Sequence, residues 1–179
     1  MIKLTLPLKK DAAKTLHAGD SVLITGVILT ARDCAHKRLV ELLKNKQPLP
    51  FDIPSSVIYY AGPCPAKPGK VSGSCGPTTS ARMETFAPAL LDSGLNAIIG
   101  KGEMNNDVRE ALIRNSSVYF AAIGGAGALY SECIKKSECI AFPDLLSEAV
   151  YRLEVQNFPA VVAYDAFGGT IYRNSVDIG

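Results

Sequence analysis

The stretch that begins at Gly73 combines hydroxyl and cationic side chains in an order that could bind and activate a small anion. It runs Gly-Ser-Cys-Gly-Pro-Thr-Thr-Ser-Ala-Arg-Met. Pro77 favours the first helical position, because its missing N–H would be unpaired there, and the free N–H groups of a helix start bind anions. We therefore predict a helix at residues 78–91, with Thr78 and Arg82 four residues apart on one face. A guanidinium there suits a carboxylate, which it holds with two parallel hydrogen bonds.

The same residues also have an ordinary structural explanation. Thr78, Thr79 and Ser80 belong to the residue types that cap helix N-termini. Arg82 would then be a solvent-exposed charge without a ligand. Spacing alone does not separate a helix cap from a binding site.

Two more cations lie where predicted strands end. Lys101 lies between two glycines after a predicted strand at 97–100, and strand ends in open α/β sheets are where ligands bind. Arg32 lies at the predicted start of a helix, where a cation is unfavourable unless an anion is bound nearby. The alternative for Arg32 is an ion pair with Asp33 at the surface, which contributes little. Together with Arg82, these cations suit a small dianion better than a nucleotide.

The cysteines and histidines give weaker signals. Five cysteines without C-x-x-C spacing favour free thiols in a reducing cytoplasm; they are Cys34, Cys64, Cys75, Cys133 and Cys139. Cys64 and Cys75 flank a loop rich in glycine and proline, so a ligand or redox pair is the alternative. His17 and His36 are the only histidines, which argues against a metal site built from histidines. For His36, packing in the core and a role in substrate binding both stay open.

Composition narrows the class of protein. With 179 residues, 47% of them hydrophobic, and a net charge of +2, we expect one globular domain over 1–179 and no disorder. A charge this small, without a basic stripe, argues against a nucleic-acid partner. The longest apolar run, 118–130, is too short to span a membrane. The first ten residues lack the apolar core of a signal peptide, which favours a cytoplasmic location.

Periodicity predicts alternating strands and helices, and hence an α/β domain with a mixed sheet and a strand-rich N-terminal part. The predicted strands are 2–6, 21–30, 57–61, 97–100, 118–123 and 139–142. The predicted helices are 31–46, 78–91, 107–114, 126–134 and 145–154. Residues 62–77 form a long loop, which is often functional, and 159–172 form a terminal hairpin. The glycines at 124–127 are predicted to allow close packing of a helix on the sheet.

Three motifs, taken together, resemble a known family. They are GPxPxxPGxxxGSxGPTTSARM at 62–83, IIGKG at 98–102 and ARDxAHKR at 31–38. In this order and spacing they resemble the β-type subunit of class I (iron–sulfur) fumarate hydratase and L-tartrate dehydratase, over nearly the whole chain.

The resemblance implies a swivelling β/β/α domain and a hydro-lyase reaction on a C4 dicarboxylate, either fumarate and malate or tartrate. It implies a [4Fe–4S] cluster held by an α-type partner subunit, so this chain would bind no cofactor or metal itself and would act in a hetero-oligomer. Because the domain starts at Met1, we expect the separate β subunit. Carried over by motif, Thr78 matches an acid–base threonine, while Arg32, Arg82 and Lys101 match cations that bind the substrate.

Two other classes of function stay open at this point. The chain could be a non-catalytic dicarboxylate-binding or mobile regulatory domain, which would have no turnover in any complex. It could also be a thiol-redox protein, which would require a cysteine of low pKa.

Overall fold

The structure, a computed structural model, describes residues 1–172; residues 173–179 of the predicted domain lie outside the described residues. Its strands are β1 (Ile2–Thr5), β2 (Ser21–Thr30), β3 (Val57–Tyr59), β4 (Ala97–Gly100), β5 (Val118–Ala121), β6 (Ile134–Ala141) and β7 (Val150–Tyr164). Its α-helices are α1 (Lys10–Ala13), α2 (Asp33–Lys44), α3 (Ala87–Asp92), α4 (Asn106–Arg114) and α5 (Gly127–Cys133). Short 3-10 turns lie at Ile53–Ser55, Ser80–Met83 and Pro143–Glu148.

The sheet is mixed, and five of its strands close on themselves. Its order is β1-β2-β3-β4-β5-β7-β6, and β2 also pairs with β7. Strands β2 to β5 run parallel to their neighbours, whereas β7 is antiparallel to β2, β5 and β6. Since β2 pairs with β3 on one edge and with β7 on the other, the strands β2, β3, β4, β5 and β7 form a ring. The predicted α/β class with a mixed sheet is confirmed.

Two apolar cores hold the ring and the helices together. Alternate residues of a strand point to opposite faces. Ile99 and Phe120 therefore belong to the core enclosed by the ring, whereas Ile98 and Tyr119 pack with α2, α3 and α4 in a second core. The two cores thus pack against opposite faces of the parallel strands, whose carboxyl ends lie at one edge of the ring. Within residues 1–172, no helix is long and apolar enough to cross a membrane.

The predicted helix at 78–91 is wrong in its first half. Thr79 has extended backbone angles, a 3-10 turn covers Ser80–Met83, and α3 starts only at Ala87. Pro88 stands in the first turn of α3, where the missing N–H is tolerated; in the interior of a longer helix it would remove a hydrogen bond. The anion-binding helix start at Pro77, and the shared helix face of Thr78 and Arg82, are therefore wrong as well.

The predicted helix at 145–154 is also wrong. Leu146 has a positive φ of 52°, which interrupts the 3-10 turn Pro143–Glu148. From Val150 the backbone pairs with β2 and β6 as part of β7, so sheet pairing outweighs a locally helical pattern. Strand β6 likewise begins earlier than predicted, at Ile134.

The remaining elements agree with the sequence within a few residues. Helix α2 begins two residues later than predicted, with Arg32 as its N-cap residue. The predicted turn of the terminal hairpin is confirmed at Asp165, whose carboxylate accepts hydrogen bonds from the N–H groups of Phe167 and Gly169. An isolated bridge joins Tyr164 to Thr170 across this turn.

Candidate functional site

The residues singled out by the sequence lie at one edge of the ring, where the parallel strands end. Arg32 follows β2, Gly62 follows β3, Lys101 follows β4 and Gly124 follows β5. Parallel strands present their carboxyl ends on the same side of a sheet, and ligands bind there in α/β folds. The prediction that Lys101 and Arg32 stand at strand ends is confirmed.

Thr78 reaches this edge as an extended segment laid between two strand ends. Its backbone N–H donates to the carbonyl of Tyr60 at 2.8 Å, and Thr79 forms a parallel bridge with Lys101. Thr78 is half-buried. Within residues 1–172 its hydroxyl has no hydrogen-bond partner, so it caps no helix. The hydroxyl is therefore free to meet a ligand.

Lys101 is fixed through its backbone while its ammonium stays exposed. Its N–H donates to Ser80 Oγ at 2.8 Å, and its carbonyl accepts from the Ser80 N–H at 2.9 Å. The Tyr119 hydroxyl lies 2.9 Å from the same Oγ. The Lys101 side chain runs over Gly124, where a Cβ would lie 2.8 Å from its Cε. No carboxylate of the described chain lies within ion-pair distance of Lys101.

Arg32 is held on two sides. Its Nε lies 3.4 Å from Glu148 Oε1. A Cβ at Gly62 would lie 2.6 Å from the Ser147 carbonyl oxygen and 3.0 Å from Arg32 Cδ, so the loop after β3 needs a glycine where it passes Arg32. The side chain of Arg32 is 26% exposed, which leaves part of the guanidinium accessible at the edge.

The Arg82 side chain points toward the start of α2, where it pairs with Asp33. Its Nε donates to Asp33 Oδ1 at 3.1 Å, and its Nη2 lies 2.9 Å from Oδ2. The alternative of an Arg32–Asp33 pair is wrong, because Asp33 pairs with Arg82 and Arg32 with Glu148. Although no helix carries both Thr78 and Arg82, the fold brings each of them beside a strand end.

His36 belongs to the core. It is fully buried, and its Nδ1 lies 2.9 Å from the Arg32 carbonyl; since a carbonyl only accepts, Nδ1 carries the proton. Burial lowers the pKa of His36 to about 4, so the ring is neutral near pH 7. It packs edge-on against Tyr60, with ring centroids 5.0 Å apart. The core interpretation is confirmed, and His36 supports the backbone of Arg32.

The glycine turn before α5 makes room for neighbouring groups instead of for a helix on the sheet. A Cβ on Gly127 would lie 2.2 Å from Ser74 Oγ and 3.1 Å from the Gly76 N. Gly124 leaves space for Lys101, as described above. The predicted role of these glycines in packing a helix on the sheet is wrong, because the groups that lie against them are the loop at 62–77 and the Lys101 side chain.

The cysteines are unpaired, and they do not form a cluster-binding set. All five are free; Cys75 is buried, and burial raises the pKa of its thiol to about 12. A low-pKa thiol of the kind a redox protein needs is therefore not found at Cys75. Among the described residues, no group of three or more histidine, cysteine or acidic side chains could hold a metal ion. The described residues of this chain do not fit an iron–sulfur cluster.

Sequence reasoning missed three residues that shape this site. Asp33 and Glu148 pair with the two arginines, and Ser80 fixes the backbone of Lys101. Asp33 stands beside Arg32 in the sequence, which is the one local signal for its role. Glu148 lies in a stretch with a helical pattern, and nothing local links it to Arg32.

As a chemical arrangement, the edge carries three cations and an unengaged hydroxyl. Two of the cations pair with carboxylates, while Lys101 pairs with none within residues 1–172. A small anion with two carboxylates matches this set, because hydrogen bonds between charged partners are about twice as strong as neutral ones.

Comparison with known proteins identifies a family and several relatives of this chain. A family model described as "Fumarase C-terminus" matches residues 1–175. A protein named for L(+)-tartrate dehydratase subunit beta from Methanocaldococcus jannaschii is 43% identical, over 92% of this chain and 87% of its own length. Fumarate hydratase 2 of Leishmania major is 37% identical, over 88% of this chain and 28% of its own length. The anaerobic class I fumarate hydratase of Escherichia coli is 35% identical, over 98% and 33%.

The chain therefore spans most of the M. jannaschii subunit but only about a third of the fumarate hydratases. The match to the family model extends from the first strand to beyond the last described residue, and it includes every residue of the candidate site. This chain belongs to the family of fumarase C-terminal domains, in which hydro-lyases of the fumarate hydratase and tartrate dehydratase type are found.

Proposed function

We propose that this chain is the β-type subunit of a hydro-lyase that adds water to fumarate or removes it from malate or tartrate. The observation that supports the proposal is that Arg32, Thr78 and Lys101 lie at the carboxyl ends of neighbouring strands, while Arg82 pairs with the residue next to Arg32. Three separate stretches of the chain supply these residues, at the edge where α/β folds bind ligands.

Each residue has a distinct role in the proposal. The two guanidinium groups and the ammonium bind the two substrate carboxylates and stabilise the negative charge that builds up when a proton leaves the carbon next to one of them. Thr78 accepts that proton in dehydration and returns it in hydration. A threonine hydroxyl is a weak base, so its deprotonated form needs nearby positive charge. Because no helix starts at Thr78, Lys101 and Arg82 supply this positive charge.

The proposal includes a partner. The β-subunit name of the M. jannaschii relative, and the much greater length of the fumarate hydratases, support a second chain that completes the site. We assign the [4Fe–4S] cluster to that α-type partner, in a cytoplasmic hetero-oligomer. In this chain the residues bind, orient and exchange a proton with the substrate.

The test is to purify the tagged chain under anaerobic conditions from its own cells, together with whatever binds it. We expect a cluster-bearing partner, and turnover of either fumarate and malate or tartrate by the complex. A chain that purifies without such a partner, or a complex that binds C4 diacids without turnover, would instead support a binding or regulatory domain.

A further inference from the structure

Both arginines of the candidate site are held by carboxylates that come from other elements. Arg82 Nε lies 3.1 Å from Asp33 Oδ1 and its Nη2 2.9 Å from Oδ2, while Arg32 Nε lies 3.4 Å from Glu148 Oε1. The side chains of Asp33, Arg32 and Glu148 are 27%, 26% and 24% exposed, whereas that of Arg82 is 52% exposed. The Arg32–Glu148 pair is therefore screened by salt less than the Arg82–Asp33 pair.

These contacts form two ion pairs that meet at the start of α2. Arg32 pairs with Glu148, and its sequence neighbour Asp33 pairs with Arg82, so only the backbone connects the two pairs. Together they join the 3-10 turn Pro143–Glu148 to the 3-10 turn Ser80–Met83 through the first residues of α2. An unpaired arginine side chain samples many rotamers, whereas each of these guanidinium groups is tied at one place.

The segment that carries Glu148 is itself anchored. Glu148 lies near the Cys34 thiol of α2 and is the largest cause of its raised pKa. Arg38 of α2 donates to Asp144 Oδ1 at 2.8 Å, and it also lies over the Phe142 ring, 5.3 Å from its centroid. The segment that carries Glu148 is therefore fastened to the same helix that begins at Asp33.

We propose that Asp33 and Glu148 are positioning residues that fix the separation of the Arg82 and Arg32 guanidinium groups, and thereby the length of the dicarboxylate that the site accepts. The inference rests on the proposed function and concerns its substrate class. We expect two cations at a fixed separation to reject a diacid with one extra or one missing methylene by a factor like that of a hydrophobic pocket, where one methylene changes binding by about 10- to 200-fold. Loosening either arginine should weaken that rejection more than it weakens folding.

The experiment uses the purified complex and three competing diacids, malonate, succinate and glutarate. For the wild type we expect succinate to inhibit at least about tenfold more tightly than glutarate or malonate. In Asp33→Asn and Glu148→Gln we expect that ratio to fall to about threefold or less, with KM raised by about tenfold or more because the arginines are misplaced. Asp33→Glu and Glu148→Asp keep the charge and should restore part of the selectivity.

Asp92→Asn is the matched control, because Asp92 of α3 also pairs with an arginine of another element, through two hydrogen bonds from Arg114 of α4 where Asp33 accepts one from Arg82. It should leave the ratio unchanged. A wild-type ratio in a variant that folds and turns over substrate overturns the assignment for that residue, and a wild type that does not distinguish the diacids overturns both. A wild-type complex that neither binds nor converts any diacid refutes the proposed function itself, and the inference with it.

Discussion

The backbone N–H of Thr78 donates a 2.8 Å hydrogen bond to the carbonyl of Tyr60, so Thr78 pairs with the chain just after β3 instead of opening a helix. The consequence is chemical. The hydroxyl of a threonine that caps a helix accepts a hydrogen bond from a backbone N–H. The Thr78 hydroxyl accepts no such bond within residues 1–172 and can therefore bind a ligand.

Replacing Lys101 with methionine should separate substrate binding from folding. The ammonium is exposed and pairs with no carboxylate of the described chain, so we expect the free energy of unfolding to change by less than about 0.5 kcal/mol. A lost charged hydrogen bond of about 1.5–3 kcal/mol should lower kcat/KM by about 10- to 150-fold. Steady-state kinetics of the complex measure this, with Lys70→Met in the exposed loop as the control. Equal kcat/KM in both variants would refute the role of Lys101.

Gly124→Ala should act through Lys101 without touching the substrate. The new Cβ would lie 2.8 Å from Lys101 Cε and 3.1 Å from its Nζ, so the flexible lysine must move. Because a displacement of about 1 Å can cost about 100-fold in rate, we expect kcat/KM to fall between several-fold and about 100-fold. Gly76→Ala, where the nearest atom would be 3.4 Å away, serves as the control. Unchanged kinetics in Gly124→Ala would show that activity does not depend on the observed position of the Lys101 side chain.

Several features of this edge were within reach of the sequence. The apolar run 97–100 and the amphipathic pattern after Ala31 depend on local periodicity, and both Lys101 and Arg32 stand where that periodicity placed them. Thr78 was misplaced because the conformation of its segment is set by the bond from Thr78 to Tyr60 and by the bonds between Ser80 and Lys101, and these partners are distant in sequence. The pairing of Asp33 with Arg82 spans 49 positions and has no local signature.

His36 should make the protein sensitive to mild acid. Burial disfavours the charged ring and lowers the pKa of His36 from its ordinary value of 6.5 to about 4 in the folded state. Between these pH values the unfolded chain binds a proton that the folded chain does not, so stability falls as the pH drops from 6.5 to 4. The full loss is about 3 kcal/mol.

Urea unfolding at about pH 7, 5.5 and 4.5, values that span this range, checks the expectation. His36→Gln should show a smaller loss of stability over that range, while His17→Gln, which changes an exposed ring, should follow the wild type. The same pH dependence in His36→Gln and in wild type would show that other groups cause it.

Arg82→Lys tests whether the guanidinium supports Thr78 as well as the substrate. Lysine keeps the charge but loses the planar fork that contacts Asp33, so we expect a marked fall in kcat/KM. If the two side chains act as one unit, the double variant with Thr78→Ala should be little worse than the poorer single variant. Fully additive losses in free energy would instead show that Arg82 and Thr78 act independently.

The most direct test of the account is the kcat of Thr78→Ala in the complex, measured beside its thermal midpoint and beside Thr78→Ser. Since the Thr78 hydroxyl makes no bond within residues 1–172, we expect a nearly unchanged midpoint. Loss of a positioned acid–base group should lower kcat by about 100-fold or more, and serine should restore part of the rate. A Thr78→Ala variant with near-normal kcat would contradict the assignment of Thr78 as the group that moves the proton.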